Sequence, residues 1–245
     1  AQRPVKGIPF VSYCKPSDSS HFPNKPIQII RIKMSLRLDH FFILTTQGAP
    51  VADQMRSIGL KEAVPRDHKG QGTSNRRFNL ANSTIEWLYV RDANEANNGS
   101  AGPLNFPHRL MSSEASCLGL VVRANPDASH PPFEGWDYQP DYFPNGWTFR
   151  VGSNSVNELE PLCICMPEQL PEPANETVDN PDWSLTQLQL TLPITELSSV
   201  LSQFAELPEV NMQTGGAHTV AIEMNQGRSG QSLILEHDPP IAIHW

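Results

Sequence analysis

The chain has 245 residues, of which 38% are hydrophobic and 18% charged, and its formal net charge is −8 at pH 7. This composition is typical of a globular protein with a sizeable core, and the acidic balance argues against nucleic acid or an anionic membrane as the main partner. No run approaches the roughly 18 apolar residues of a membrane-spanning helix. The four cysteines lack the spacing of a disulfide framework. Together these two observations predict a cytoplasmic protein.

Residues 1–33 differ from the rest of the chain. They are rich in Pro, Lys and Ser, show little periodicity, and end just before Met34, which precedes the first convincing strand. We expect this segment to be a poorly ordered extension, and the folded domain to span residues 34–245.

Residues 36–92 predict one β-α-β-β-β module. The strand-favouring segment RLDHFFIL (37–44) precedes a helix, which is indicated by Val51, Met55 and Ile58 at i, i+4 and i+7. After KEAV and a glycine-containing turn come the strands SNRRFNL and TIEWLYV, joined by a tight turn.

The stretch HKGQGTSNRRF (68–78) has two interpretations. Its glycines could cradle a phosphate, or they could form a turn that leads into a strand. A phosphate cradle needs a helix after the glycines, whereas here a strand follows and turns back, so the second interpretation is favoured. Alternation along that strand places Asn75 and Arg77 on one face, and Arg76 and Phe78 on the other.

Residues 185–245 predict a second module with the same order of elements. LTQLQLTLP (185–193) is typical of a strand, and ITELSSVLSQFAEL (194–207) of an amphipathic helix with Thr195 as its N-cap. The remaining strands of this module are expected at 218–224 and 231–237.

Residues 93–184, between the modules, are expected to form an irregular insertion. Two segments in it, 116–123 and 160–166, resemble strands, and an acidic proline-rich stretch at 167–182 is typical of a solvated loop. The predicted fold is therefore α+β, with two βαβββ modules that enclose a cup between their sheets.

Several of these segments together resemble a known family. LDHFFIL followed by a helix, H-x-GQGT-x-NRRF, IEWLYV, a later W-x-Y-x-P-x-Y-x-P and the closing HW pair are similar to the glyoxalase-like branch of the vicinal oxygen chelate (glyoxalase/bleomycin resistance/dioxygenase) superfamily. The resemblance covers roughly residues 34–245. It implies paired βαβββ modules around a cup that often holds a divalent metal ion, which polarises adjacent substrate oxygens; some members bind small molecules without metal.

Carrying the family's metal ligands over implies His40 on the first strand and Glu86 on the fourth as catalytic or metal-binding residues. The matching positions of the second module hold Gln187 and an aliphatic residue, either Ile234 or Leu235, so only two good ligands remain for one divalent metal ion. A register that differs by one residue would instead offer Glu236, Glu223 or His218 as a further ligand. The alternatives are that His40 only donates a hydrogen bond within the sheet and that Glu86 only pairs with Arg76 or Arg77.

Other polar and aromatic residues complete the expected site. His68 is a candidate general base, although a lone histidine in a loop is more often solvated. Asp39 and Asp92 have no evident partner. The aromatic residues Trp136, Tyr138, Tyr142 and Trp147 are interpreted as packing between the modules rather than as a ligand platform. The residues expected to contact substrate are Gln71, Asn75, Arg77 and Gln187.

The resemblance implies an enzyme that acts on a small oxygen-rich molecule in the cup, through metal-assisted lyase, isomerase or dioxygenase chemistry. The alternatives are a non-catalytic protein that binds or sequesters a small molecule and, last, a structural module recognised through its aromatic insertion. No nucleotide cofactor is expected, because the sequence lacks a G-x-x-x-x-G-K-[ST] loop. The oligomeric state is left open, with a homodimer among the options.

Overall fold

The computed structural model describes residues 36–124, 130–170 and 178–245, so the expectation for residues 1–33 falls outside the described part. The described residues form an α+β fold with two mixed sheets and a few short helices. No helix in these ranges is long and apolar enough to cross a membrane. The helices are α1 (Val51–Ser57), α2 (Ala93–Asn98), α3 (Phe106–Met111) and α4 (Ser199–Phe204).

The larger sheet has eight strands. They are β1 (Arg37–Thr45), β2 (Asp67–His68), β3 (Thr73–Asn79), β4 (Thr84–Val90), β5 (Leu118–Arg123), β6 (Gly135–Tyr138), β7 (Phe149–Gly152) and β8 (Leu162–Cys165). The sheet curls into a half-barrel with the strand order β2-β3-β4-β1-β5-β8-β7-β6. In each half the first strand pairs in parallel with the last, β1 with β4 and β5 with β8, and antiparallel pairing of β1 with β5 joins the halves.

The prediction of an irregular insertion at residues 93–184 is wrong for residues 118–165, which supply the second half of this sheet. β5 and β8 carry the apolar runs LGLVVR and LCIC, and every residue of both strands is buried. β6 and β7 have only four residues each, and a loop rich in proline and aromatic residues separates them. Strands this short do not show an alternating pattern that can be recognised in the sequence.

The smaller sheet has five strands in the order β10-β9-β11-β13-β12. They are β9 (Leu185–Leu192), β10 (Val210–Thr214), β11 (Thr219–Met224), β12 (Ser232–Leu235) and β13 (Ile241–His244). Helix α4 connects β9 to β10, which are parallel. The N-cap of α4 is Ser198 rather than Thr195, because the Ser198 hydroxyl accepts a hydrogen bond from the Leu201 amide at 3.1 Å.

Residues 185–245 therefore build a sheet of their own, while residues 36–92 share the larger sheet with residues 118–165. The smaller sheet packs against the larger one through α4. The Phe204 ring lies 5.4 Å from the Phe133 ring, and the Ser198 hydroxyl donates to the buried Glu160 carboxylate at 2.7 Å. The two ends of the chain, despite their similar order of elements, therefore lie in sheets of different size and strand order.

Gly72 lies where the turn before β3 comes close to the backbone of helix α2. Its φ is +72°, and a Cβ atom there would lie 2.4 Å from both the Ala96 nitrogen and the Asp92 carbonyl oxygen. We expect Gly72→Ala to lower the free energy of unfolding by about 3 kcal/mol in denaturant titrations. Gly146 is the matched control, because its φ is +83° but a Cβ would meet nothing within 4 Å. Gly146→Ala should cost only about 1 kcal/mol; equal losses would contradict the steric explanation.

Candidate functional site

A cavity of about 610 Å³ lies on one face of the larger sheet. Side chains two residues apart on each strand point into it, as the pleat of a strand requires. Among the described residues, those that line it come from positions 39–170 and none from 185–245. The lining strand residues include His40 and Phe42 on β1, Asn75 and Arg77 on β3, Thr84, Glu86 and Leu88 on β4, Val121 and Arg123 on β5, and Phe149 and Ile164 on β7 and β8.

The expected convergence of His40 and Glu86 is present in this cavity. β1 and β4 are parallel neighbours in which Phe42 is level with Glu86, so side chains of the same face come together. The His40 Nε2 atom lies 3.7 Å from Glu86 Oε2, and His68 Nε2 lies 3.8 Å from Glu86 Oε1. Two histidines from different strands thus face the two oxygens of one largely buried carboxylate.

Asp39 holds the His40 ring in place. Its Oδ1 accepts a hydrogen bond from His40 Nδ1 at 2.6 Å, and its Oδ2 accepts one from Arg123 Nε at 2.5 Å. The pairing of β1 with β5 shifts register between Leu38 and His40, so Asp39 is the extra residue of a β-bulge. The expectation that Asp39 has no partner is wrong, because the bulge lets two consecutive side chains reach the same cavity.

His68 is fixed by a second chain of hydrogen bonds, so the solvated-loop interpretation is wrong. Its Nδ1 lies 3.0 Å from the Thr73 hydroxyl, which also accepts from Gln71 Nε2 at 2.8 Å. The Gln71 carbonyl oxygen accepts from the hydroxyls of Tyr138 and Tyr142, each at 3.1 Å. The side chain of Gln71 is thus engaged by protein groups, and its expected contact with substrate stays a prediction.

The two histidines have opposite pKa shifts. Burial lowers the pKa of His40, but the hydrogen bond to Asp39 and the charges of Glu86 and Asp39 raise it above the ordinary value. Burial lowers the pKa of His68, and the charge of Glu86 only partly offsets that effect. Titratable groups whose surroundings push their pKa values apart are typical of acid–base sites. His40 is thus easier to protonate than an unperturbed histidine, and His68 is harder to protonate.

The ordinary pKa of histidine is 6.5. We expect NMR titration to show a pKa above this value for His40 and a pKa below it for His68. Asp39→Asn should lower the pKa of His40, because it removes a charged acceptor. Asp137→Asn is the matched control, since Asp137 is exposed and pairs with Arg150. A His40 pKa that is unchanged in Asp39→Asn would contradict the assignment.

The same shifts fix the sign of the pH dependence of folding stability. The pKa of His40 is raised in the folded state, so its stabilising contribution is complete below about pH 6.5 and is lost as the pH rises through the folded-state value. The pKa of His68 is lowered, so its protonation destabilises the folded state as the pH falls below about 6.5.

The predicted residues Asn75 and Arg77 lie in the cavity, and Gln187 does not. Asn75 Nδ2 donates to Glu86 Oε1, and Arg77 is level with Glu86 in the pairing of β3 with β4. Arg76 points to the other face, where it pairs with Glu62 at 2.6 Å, so the predicted alternation along β3 is confirmed. Gln187 lies on β9 and accepts from Gln189 at 3.1 Å.

Part of the aromatic segment 136–149 forms a wall of the cavity, which corrects the interpretation of Tyr138 and Tyr142, though not of Trp136 and Trp147, as packing between modules. Tyr138, Tyr142, Phe143 and Phe149 line the cavity. The Tyr142 ring lies 5.4 Å from the His68 ring. Sequence reasoning missed this wall because it placed the whole segment outside the sheet that carries His40 and Glu86.

The two expected metal ligands, His40 and Glu86, lie 3.7 Å apart. Among the described residues, no three His, Cys, Asp or Glu side chains are grouped so that they could hold a metal ion. Glu86 Oε1 is already an acceptor for Asn75. Metal binding by His40 and Glu86 stays a prediction.

Comparison with known proteins gives the fold but no function. No protein-family model and no curated protein matches the chain. A hypothetical protein from Staphylococcus aureus is similar over 86% of this chain and 99% of its own, with a TM-score of 0.57 and 12% identity. Hypothetical protein BH1468 from Bacillus halodurans C-125 is 14% identical over 58% of this chain and 99% of its own, but its TM-score of 0.37 supports no shared fold.

Proposed function

We propose that this chain is a glyoxalase-like protein of the vicinal oxygen chelate type that catalyses proton transfer on a small molecule bound in the cavity. The observation that carries the proposal is the position of Glu86 between His40 and His68, at 3.7 and 3.8 Å, inside a cavity large enough for a ligand.

The module assignment within this proposal differs from the one predicted. The two β-rich modules would be residues 37–90 and 118–165, rather than 36–92 and 185–245. The parallel pairing of the first strand with the last in each of these halves supports the assignment, as does the antiparallel pairing of β1 with β5 between them. Residues 185–245 would then be an additional sheet outside the catalytic unit.

Glu86 is the base in the proposed reaction. Its Oε1 accepts from Asn75, which leaves Oε2 to take a proton from a carbon next to a substrate carbonyl group. The electron pair of the broken C–H bond moves to the carbonyl oxygen, and His40 Nε2 donates a proton to that oxygen. The product is an enol, and the reverse steps restore both side chains.

Asp39 and Arg77 support these steps. Asp39 accepts from His40 Nδ1, so the ring keeps its Nε2 directed at Glu86 and at the substrate oxygen. The charge of Arg77, which lines the same cavity, favours negative charge that develops on that oxygen. The arrangement requires no group beyond the side chains present.

A screen for hydrogen exchange tests the proposal without knowledge of the net reaction. Small carbonyl compounds that raise the melting temperature are incubated with the protein in deuterated water and followed by NMR. We expect at least one bound compound to exchange its C–H hydrogen beside the carbonyl group for deuterium faster than in buffer. Binding without exchange or conversion in any bound compound would favour the alternative, a non-catalytic binding protein.

A further inference from the structure

The cavity has two chemically different halves. Most of its polar side chains, including His40, His68, Asn75, Arg77 and Glu86, belong to strands β1 to β4. These groups form one connected set, because Glu86 contacts both histidines and Asn75. A ligand oxygen can therefore find hydrogen-bond partners at this end of the cavity.

The facing half is apolar apart from Arg123 on β5, whose guanidinium group already donates to Asp39 and to the Leu170 carbonyl. It is lined by Phe106, Val121, Phe149, Ile164, Met166 and Leu170, whose side chains offer no strong hydrogen-bonding group. The hydroxyls of Tyr138 and Tyr142, which also line the cavity, already donate to Gln71. A hydroxyl or carboxylate placed here would lose its bonds to water without replacement, which is unfavourable.

We infer that the substrate has an apolar body about the size of an aromatic ring and a single oxygen-bearing head. The body would lie against β5, β7 and β8, and the head would lie beside Glu86; the second part rests on the proposed function. This inference narrows the predicted substrate from an oxygen-rich molecule to one with a single polar end, because the polar groups of the facing half, Arg123, Tyr138 and Tyr142, are already hydrogen-bonded to protein groups. The volume of about 610 Å³ also exceeds the needs of a three-carbon compound.

Calorimetry with matched acids tests the inference. Mandelate and lactate share a 2-hydroxy acid head and differ in a phenyl or a methyl group. We expect mandelate to bind about tenfold tighter or more, because its phenyl group leaves water on binding. 1-Phenylethanol, which has the body but no carboxylate, should bind more weakly than mandelate. In Met166→Gln the preference for mandelate should fall to about threefold, since a polar amide then faces the ring.

Met212→Gln provides the matched control. Met212 lies on β10 and is half-buried like Met166, but it does not line the cavity, so its substitution should leave the preference unchanged. Equal affinity for mandelate and lactate would overturn the inference, and so would no binding of either phenyl compound at about 10 mM. If 1-phenylethanol binds as tightly as mandelate, the inference that the oxygen-bearing head binds beside Glu86 is wrong.

The binding measurement is independent of turnover, so the two proposals fail separately. If mandelate binds tightly but no bound compound exchanges hydrogen, the proposed proton transfer is wrong and the inferred substrate class is still supported. If small polar compounds exchange hydrogen and compounds with an apolar body bind no more tightly, the inferred substrate class is wrong and the proposed proton transfer is still supported.

Discussion

Glu86→Gln is expected to lower the rate of hydrogen exchange by about 10²- to 10⁴-fold, the usual contribution of a positioned general base. Glutamine keeps the size of the side chain and can still accept a hydrogen bond from Asn75, so the cavity should keep its shape. The amide cannot take a proton at neutral pH. Ligand affinity, measured by calorimetry, should therefore change far less than the exchange rate.

Glu223→Gln is the matched control for this experiment. Glu223 lies on β11 in the smaller sheet, is half-buried, and does not line the cavity. Its substitution should leave the exchange rate within about twofold of the wild-type rate. If Glu86→Gln also keeps the wild-type rate, Glu86 is not the base and the proposed mechanism is wrong.

The pH dependence of exchange should distinguish a structural effect from a catalytic one. The reaction needs a protonated His40, so the rate should fall as the pH rises through the raised pKa of this residue. Asp39→Asn should move that fall to lower pH, because it removes the acceptor that supports the charged ring. A variant that only loosened the fold would reduce the rate without moving the profile.

The local part of the site could be predicted from the sequence. His40, Asn75, Arg77 and Glu86 lie on strands with clear alternation, and consecutive strands β3 and β4 form a hairpin, so their facing side chains follow from the period of two. His40 and Glu86 come together through the parallel pairing of β1 with β4. The family resemblance implied that these two residues converge, but the parallel direction of this pairing was not predicted.

The remaining parts depend on pairings that leave no local signal. Asp39 reaches the cavity only because of a bulge in β1, and a bulge shifts the alternation by one residue. Gln187 was expected in the cup because the ends of the chain have similar orders of elements. β1 pairs instead with β5, and the sheet continues through β8, β7 and β6, which come from a segment with little periodicity. Long-range strand pairing decided which half of the chain faces His40.

Arg109 joins segments on which the second half of the larger sheet depends. It belongs to α3 and is only 1% exposed. Its Nη1 donates to the Glu160 carbonyl at 2.9 Å, and its Nη2 donates to the Ser155 carbonyl at 3.0 Å. Nη1 also reaches the Ser116 and Glu158 carbonyls, each at 3.3 Å. One guanidinium group thus ties α3 to the residues just before β5 and β8.

Arg109→Met is therefore expected to lower the free energy of unfolding by about 4 kcal/mol, because buried carbonyl groups lose a charged donor. For a chain of this size the melting temperature should fall by about 8–16 °C. Arg109→Lys keeps the charge but not the fork of donors, and its loss should lie between those of the wild type and Arg109→Met.

Arg56→Met is the matched control for the stability measurement. Arg56 is 60% exposed and contacts Asp53 at 3.5 Å, so its replacement should change the free energy of unfolding by less than about 0.5 kcal/mol. Calorimetric melting of the three variants beside the wild type checks the prediction. A melting temperature of Arg109→Met within about 2 °C of the wild type would mean that the carbonyls find other donors. Arg109 would then not be what holds α3 to the start of β5 and β8.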